Sequence, residues 1–136
     1  MFTLGKKERI KHLSAIRALF DGGKSIVAFP VRAIYHIRKH EENQPVASIL
    51  VSVPKRHFKH AVDRNRVKRQ LREAFRLNKQ MLSLPEKTHA DIAFVWLDDK
   101  HYDTRQVEKR VRKLLVRINE SSVQEETKAM LSEEKT

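Results

Sequence analysis

Six arginines and three lysines stand between residues 55 and 76, against two acids. Placed at about 100° per residue, the stretch DRNRVKRQLREAFRLNKQML (63–82) gathers Arg64, Lys68, Arg72, Arg76 and Lys79 on one flank, with Asn65 and Arg69 further round. A guanidinium binds phosphate through two parallel hydrogen bonds, and Arg outnumbers Lys here. Like charges at i and i+4 repel each other in a free helix, so such a row costs stability unless a polyanion offsets it. An RNA backbone would do so. If about six phosphates are neutralised, affinity should fall by about three decades between 50 and 200 mM salt. The competing reading is a solvated charged face, but only Glu73 interrupts the run, without the Glu–Lys alternation of such faces. Asn65, set between Arg64 and Arg66, either shares the helix start as a cap or turns its amide toward a sugar or base edge.

A second constellation is Asp98, Asp99, His101 and Asp103. Three acids and a histidine within six residues could hold a divalent ion for a self-contained nuclease. Clustered Asp is also common in turns, and that is the reading preferred. The seven histidines are scattered, and GxxxxGK[ST], GxSxG and GxGxxG are all missing from the sequence. No catalytic residue, protein-held metal or small-molecule substrate is therefore expected.

These residues need elements to position them. Val67, Leu71, Ala74, Phe75 and Leu82 form an apolar stripe that predicts a helix over about 64–82, with Asp63 as N-cap and the basic flank beside the buried seam. Ile10, Leu13, Ile16, Leu19 and Phe20 predict an earlier helix over 8–21, stopped by Gly22 and Gly23. Residues 31–38 alternate, with Val31, Ala33, Tyr35 and Ile37 on one face, and Pro30 marks the strand's start. Residues 46–53 read as a second strand and hairpin partner of the first across the turn 41–45, and 25–29 as a short additional strand. ADIAFVWL (90–97) is apolar nearly throughout and predicts a central strand that includes Trp96. Val107, Val111, Leu114, Leu115 and Ile118 predict a third helix over 104–118. The pattern fits an α+β sandwich with helices against one sheet and room for one parallel crossover.

The chain has 136 residues, enough for one domain, and no cysteine, which excludes disulfides and thiolate metal sites and suits a reducing compartment. The opening MFTLGKKERI brings charge before any apolar run, so no secretory signal is expected, and no apolar stretch nears a bilayer span. Net charge is +12, with residues 120–136 carrying five Glu against two Lys. The division expected is a single RNA-binding domain over 1–119 and a disordered acidic tail over 120–136.

RNRVKRQLREAFR (64–76), with its approach SVPKRHFKHAV (52–62), resembles the signature of the bacterial ribonuclease P protein component. The resemblance extends over roughly residues 4–118, including KKERI…LFDGGKS and the last basic helix. It implies an α-β-β-β-α-β-α sandwich with a left-handed βαβ crossover, of the kind found in the second domain of ribosomal protein S5. It implies a ribonucleoprotein endonuclease that removes the 5′ leader of precursor tRNA in the cytoplasm. There the catalytic RNA subunit holds the active site and most of the Mg²⁺, and no membrane takes part. By position it assigns RNA contacts to Arg64, Asn65, Arg66, Lys68, Arg69, Arg72 and Arg76. It assigns a leader-binding cleft to Phe20, Tyr35 and Ser52, rimmed by Lys55 and Arg56. Phe20 and Tyr35 could stack on unpaired bases or simply pack in the core. Relatives often carry an aromatic where Ile16 stands, and many carry a glycine before Ala61. The rival functions are a ribosomal or chaperone-like RNA-binding protein without a nuclease partner, and a protein-only nuclease built on the 98–103 acids.

Overall fold

A computed structural model of the chain describes residues 13–39 and 45–134. The start of the first predicted helix, with Ile10, and all of the 41–45 turn but its last residue lie outside the described residues. The elements are α1 (Leu13–Gly22), β1 (Lys24–Ala28), β2 (Val31–Lys39), β3 (Ala47–Ser52), α2 (Ala61–Asn78), β4 (Thr88–Trp96) and α3 (Thr104–Glu134). A single 3₁₀ turn, Lys79–Met81, tightens the end of α2.

The four strands form one sheet in the order β1-β2-β4-β3. The β1–β2 and β2–β4 pairs are antiparallel, whereas β3 and β4 are parallel and joined through α2. The expected hairpin between 31–38 and 46–53 is therefore absent, because β4 lies between the two strands. Burial explains the insertion. Ile92, Phe94 and Trp96 are buried on one face of β4 and Ala93 on the other, and such a strand belongs inside a sheet rather than at its edge.

One sheet face meets α2 and α3. Ala33 and Tyr35, Ile49 and Val51, and Ile92 and Phe94 bury there against Val67, Leu71 and Phe75 of α2 and Val111, Leu114, Leu115 and Ile118 of α3. Each Val, Leu, Ile or Phe side chain among them contributes about 1.5–3 kcal/mol by leaving water. The Phe75 and Phe94 rings meet at 6.1 Å and 48°. The opposite face is partly covered by α1, whose Leu19 is buried. Gly23 permits that approach: a Cβ there would lie 2.4 Å from the Leu19 carbonyl oxygen and 3.0 Å from Ile34 Cγ2.

Two predicted boundaries move. α2 begins at Ala61 with His60 as an N-cap that makes no side-chain bond, so Asp63 lies within the first turn rather than capping it. There its carboxylate complements the helix dipole. α3 starts with a reciprocal capping box, in which Gln106 N–H donates to Asp103 Oδ1 (2.9 Å) and Asp103 N–H to Gln106 Oε1 (3.2 Å). It does not stop near Ile118 but runs to Glu134, through the segment expected to be a disordered tail. Ser122 extends the buried stripe one turn past Ile118, and Tyr35 donates its hydroxyl hydrogen to Ser121 Oγ (2.7 Å), which ties the helix down there. Among the described residues no helix is long and apolar enough to cross a membrane.

Candidate nucleic-acid interface

The amphipathic pattern of α2 turns Val67, Leu71, Ala74 and Phe75 inward and so fixes which way its cations point. Asn65, Arg66, Arg69 and Arg72 are exposed, and none has a side-chain bond or ion pair among the described residues. They form an outward ridge of one uncharged amide and three free guanidinium groups. Lys68 is half-buried at its edge. Two other predicted contacts are already engaged. Arg64 Nη1 donates to the carbonyl oxygens of Phe58 (2.8 Å) and Lys59 (3.0 Å), and so closes the preceding loop onto the helix. Arg76 forms a two-point pair with Glu73, with Nε 2.9 Å from Oε2. The hydrogen bond from Arg76 holds the Glu73 carboxyl below the usual carboxylate range.

Buried polar groups that periodicity does not reveal set the pose of α2 on α3. Gln70 Nε2 donates to the Tyr102 carbonyl oxygen (3.0 Å), and Asn78 Nδ2 donates to the Ala74 carbonyl oxygen (2.7 Å) and to Glu108 Oε1 (3.1 Å).

The cleft side of the sheet is the other one, and only part of the predicted set is found on it. Ser52 pairs with Val95, which pairs with Arg32, so these three share the α1-facing surface at the carboxyl end of β3. Ile34 is on the same surface. Lys55 and Arg56 follow in the turn after β3, both exposed, and Phe20 is 44% exposed on α1 beside buried Leu19. Tyr35 is not in the cleft. It pairs with Ile92, shares the helix-covered face with Val31 and Ala33, and is 2% exposed. Side chains alternate along a strand, so a shift of one residue exchanges faces. The cleft position expected for Tyr35 is filled by Ile34, and Phe20 alone remains of the two predicted stacking rings. On this surface Asp91 accepts from Arg38 Nε (2.9 Å) and lies 3.1 Å from His89 Nε2. Burial pushes the Asp91 carboxyl up, but the bonds from His89 and Arg38 outweigh it and hold the group below its usual value.

Contacts of the basic loop 54–60 and the first turn of α2 with the turn 98–103 were not legible from the sequence. His57 Nδ1 is 2.6 Å from Asp99 Oδ1, and His101 Nε2 is 3.1 Å from Asp63 Oδ1. The Phe58 ring stacks on His101 at 4.5 Å and 20°. Tyr102 donates to Asp98 Oδ2 (2.7 Å), and Asp103 caps α3. The four residues that suggested a metal site are thus each committed to a different partner. Among the described residues no three His, Asp or Glu side chains converge as ligands.

Residues 4–119 match the family model described as Ribonuclease P. The ribonuclease P protein component of Porphyromonas gingivalis (strain ATCC 33277) is 43% identical over 120 residues, covering 86% of this chain and 87% of the relative. That of Chlorobium phaeobacteroides is 37% identical over 82 residues, covering 59% and 56%. Among solved structures, the ribonuclease P protein of Thermotoga maritima aligns with a TM-score of 0.64 at 24% identity, covering 81% of this chain and 96% of that one. The Staphylococcus aureus protein aligns with a TM-score of 0.63 at 21% identity, covering 82% and 94%.

Proposed function

The chain belongs to the ribonuclease P protein family, and on that basis we propose that α2 grips the catalytic RNA subunit while the α1-side cleft receives the 5′ leader of precursor tRNA. Family membership makes it a subunit of the ribonuclease P holoenzyme, acting in tRNA 5′ processing with an RNA partner. In this reading the RNA carries out the cleavage and binds most of the Mg²⁺, the protein supplies positive charge and shape, and the work takes place in the cytoplasm.

The observation that carries the proposal is the outward ridge of Asn65, Arg66, Arg69 and Arg72, which is exposed and unpartnered on a helix whose other face is locked into the core. Unpaired guanidinium groups on a rigid element are already arranged for phosphate, so little side-chain order is lost on binding. The cleft side adds exposed Lys55 and Arg56, which follow Ser52 at the end of β3, and the exposed Phe20 ring on α1. A single-stranded leader suits such a surface, because stacking and backbone charge tolerate many sequences.

The test is precursor tRNA cleavage by the catalytic RNA at low Mg²⁺, with and without the protein. The protein should raise the rate, and an Arg69→Ala, Arg72→Ala double variant should bind the RNA more weakly with a salt slope shallower by about two. A protein that leaves RNA-catalysed cleavage unchanged refutes the proposal.

A further inference from the structure

The outer face of α3 lies outside both the α2 ridge and the α1-side cleft. Val107, Val111, Leu114, Leu115 and Ile118 bury its inner side. Two of its cations are structural: Arg110 Nε donates to the Phe29 carbonyl oxygen (2.9 Å) and Arg117 Nη1 to that of Val27 (2.8 Å), fastening the edge strand β1. The other four between 104 and 118, Arg105, Lys109, Arg112 and Lys113, are exposed and have no hydrogen bond or ion pair among the described residues. At about 100° per residue they fall within roughly a 100° arc on the solvent side.

This arrangement is unfavourable in the free protein. Arg105–Lys109 and Lys109–Lys113 are like-charge pairs at i,i+4. The first turn of α3 contains no acid, and Arg105 occupies it, where the helix dipole favours anions. The one acid within 104–118, Glu108, is half-buried and bonded to Asn78. The sign then reverses along the same helix: residues 119–134 carry five Glu and one Lys. A face serving solubility would intersperse the two signs, whereas this one separates them.

We propose that Arg105, Lys109, Arg112 and Lys113 form a second contact for backbone phosphates of the RNA subunit, beside α2 on the helix layer and ending where the acidic part of α3 begins. The proposal rests on the RNA partnership argued above. Phosphates would relieve the repulsion along the ridge, and the glutamates beyond Ile118 would repel an RNA laid further along the helix.

The experiment compares the full-length wild type, an Arg69→Gln, Arg72→Gln variant, and an Arg105→Gln, Lys109→Gln, Arg112→Gln, Lys113→Gln variant. Each is titrated with the ribonuclease P RNA of the same host between 50 and 400 mM monovalent salt, and each is melted without RNA. At about 0.7–0.9 per phosphate, the fourfold variant should show a log–log salt slope shallower by about three, with weaker binding at low salt. Its melting temperature should equal or exceed that of wild type, because repulsion has been removed. A wild-type slope and affinity in the fourfold variant, with the α2 variant impaired, overturns the ridge and leaves the proposed function standing. A lower melting temperature overturns the claim that the ridge works against the fold. Wild type that fails to bind the RNA overturns the partnership and the ridge together.

Discussion

Asp99 is mostly exposed, yet its carboxylate meets His57, 42 residues away in the chain, in the loop that carries Lys55, Arg56 and Lys59. Two explanations of its role predict opposite signs. If only net charge matters, Asp99→Ala removes an acid from a cationic surface and should strengthen RNA binding. If the His57–Asp99 and His101–Asp63 pairs hold the loop in a binding-ready shape, the same change should weaken it. Ordering a long side chain on binding costs about 0.5–1.5 kcal/mol. Releasing Lys55 and Arg56, at about 1–3 kcal/mol for the two, should therefore lower affinity for leader-bearing precursor tRNA by about 5–150-fold. The geometry favours the second outcome, since the Phe58–His101 stack and the bonds from Arg64 to the Phe58 and Lys59 carbonyls fix the same loop. Tighter binding by Asp99→Ala, measured at fixed ionic strength, would rule out the clamp. The two His–Asp pairs and the ring stack do not follow from residue types alone, because each joins groups far apart in the chain. Arg69 and Arg72 differ in this respect: a position on an amphipathic helix is enough to turn them outward.

At the level of elements, what the sequence revealed was what local periodicity can encode. The α2 stripe of Val67, Leu71, Ala74 and Phe75 and the continuously apolar β4 were both legible. Strand partnership was not, since alternation in 31–38 and 46–53 says which faces are apolar but not that β4 separates the two. The placement of Tyr35 in the cleft conflicted with the alternation of its own strand, which groups it with Val31 and Ala33 and thus with the core. The end of α3 was missed for a related reason. After Ile118 the buried stripe continues through serine, which carries no hydropathy signal, and the Tyr35–Ser121 bond supplies the anchor. This bond distinguishes two truncations. A chain ending at Glu120 loses Ser121 and leaves the buried Tyr35 hydroxyl without its acceptor, which should cost about 1–3 kcal/mol in urea unfolding. A chain ending at Ser122 keeps the bond and should be the more stable of the two, and Tyr35→Phe should lower wild-type stability by about 1 kcal/mol. Equal stability of the two truncated chains would contradict the anchor.

For the whole molecule, the net charge of +12 is distributed so that folding and binding should respond to salt in opposite directions. The sheet core, the α2 stripe and the buried face of α3 are apolar and largely insensitive to ionic strength. Several acids before Ile118 carry out structural tasks: Asp63 with His101, Asp91 with Arg38, Asp99 with His57, Glu73 with Arg76 and Asp103 at the start of α3. That leaves the unpaired cations of α2 and α3 facing solvent, where they repel one another over about 10 Å at 0.1 M salt. Added salt screens this repulsion in the free protein, so its melting temperature should rise between 20 and 200 mM monovalent salt. RNA affinity should fall by orders of magnitude over the same range, because the ions released on binding become harder to release. A protein stabilised chiefly by exposed ion pairs would instead melt at a lower temperature as those pairs are screened. Calorimetry of the free chain across that range decides between the two, and a falling melting temperature would show that its exposed charges support the fold instead of waiting for a polyanion.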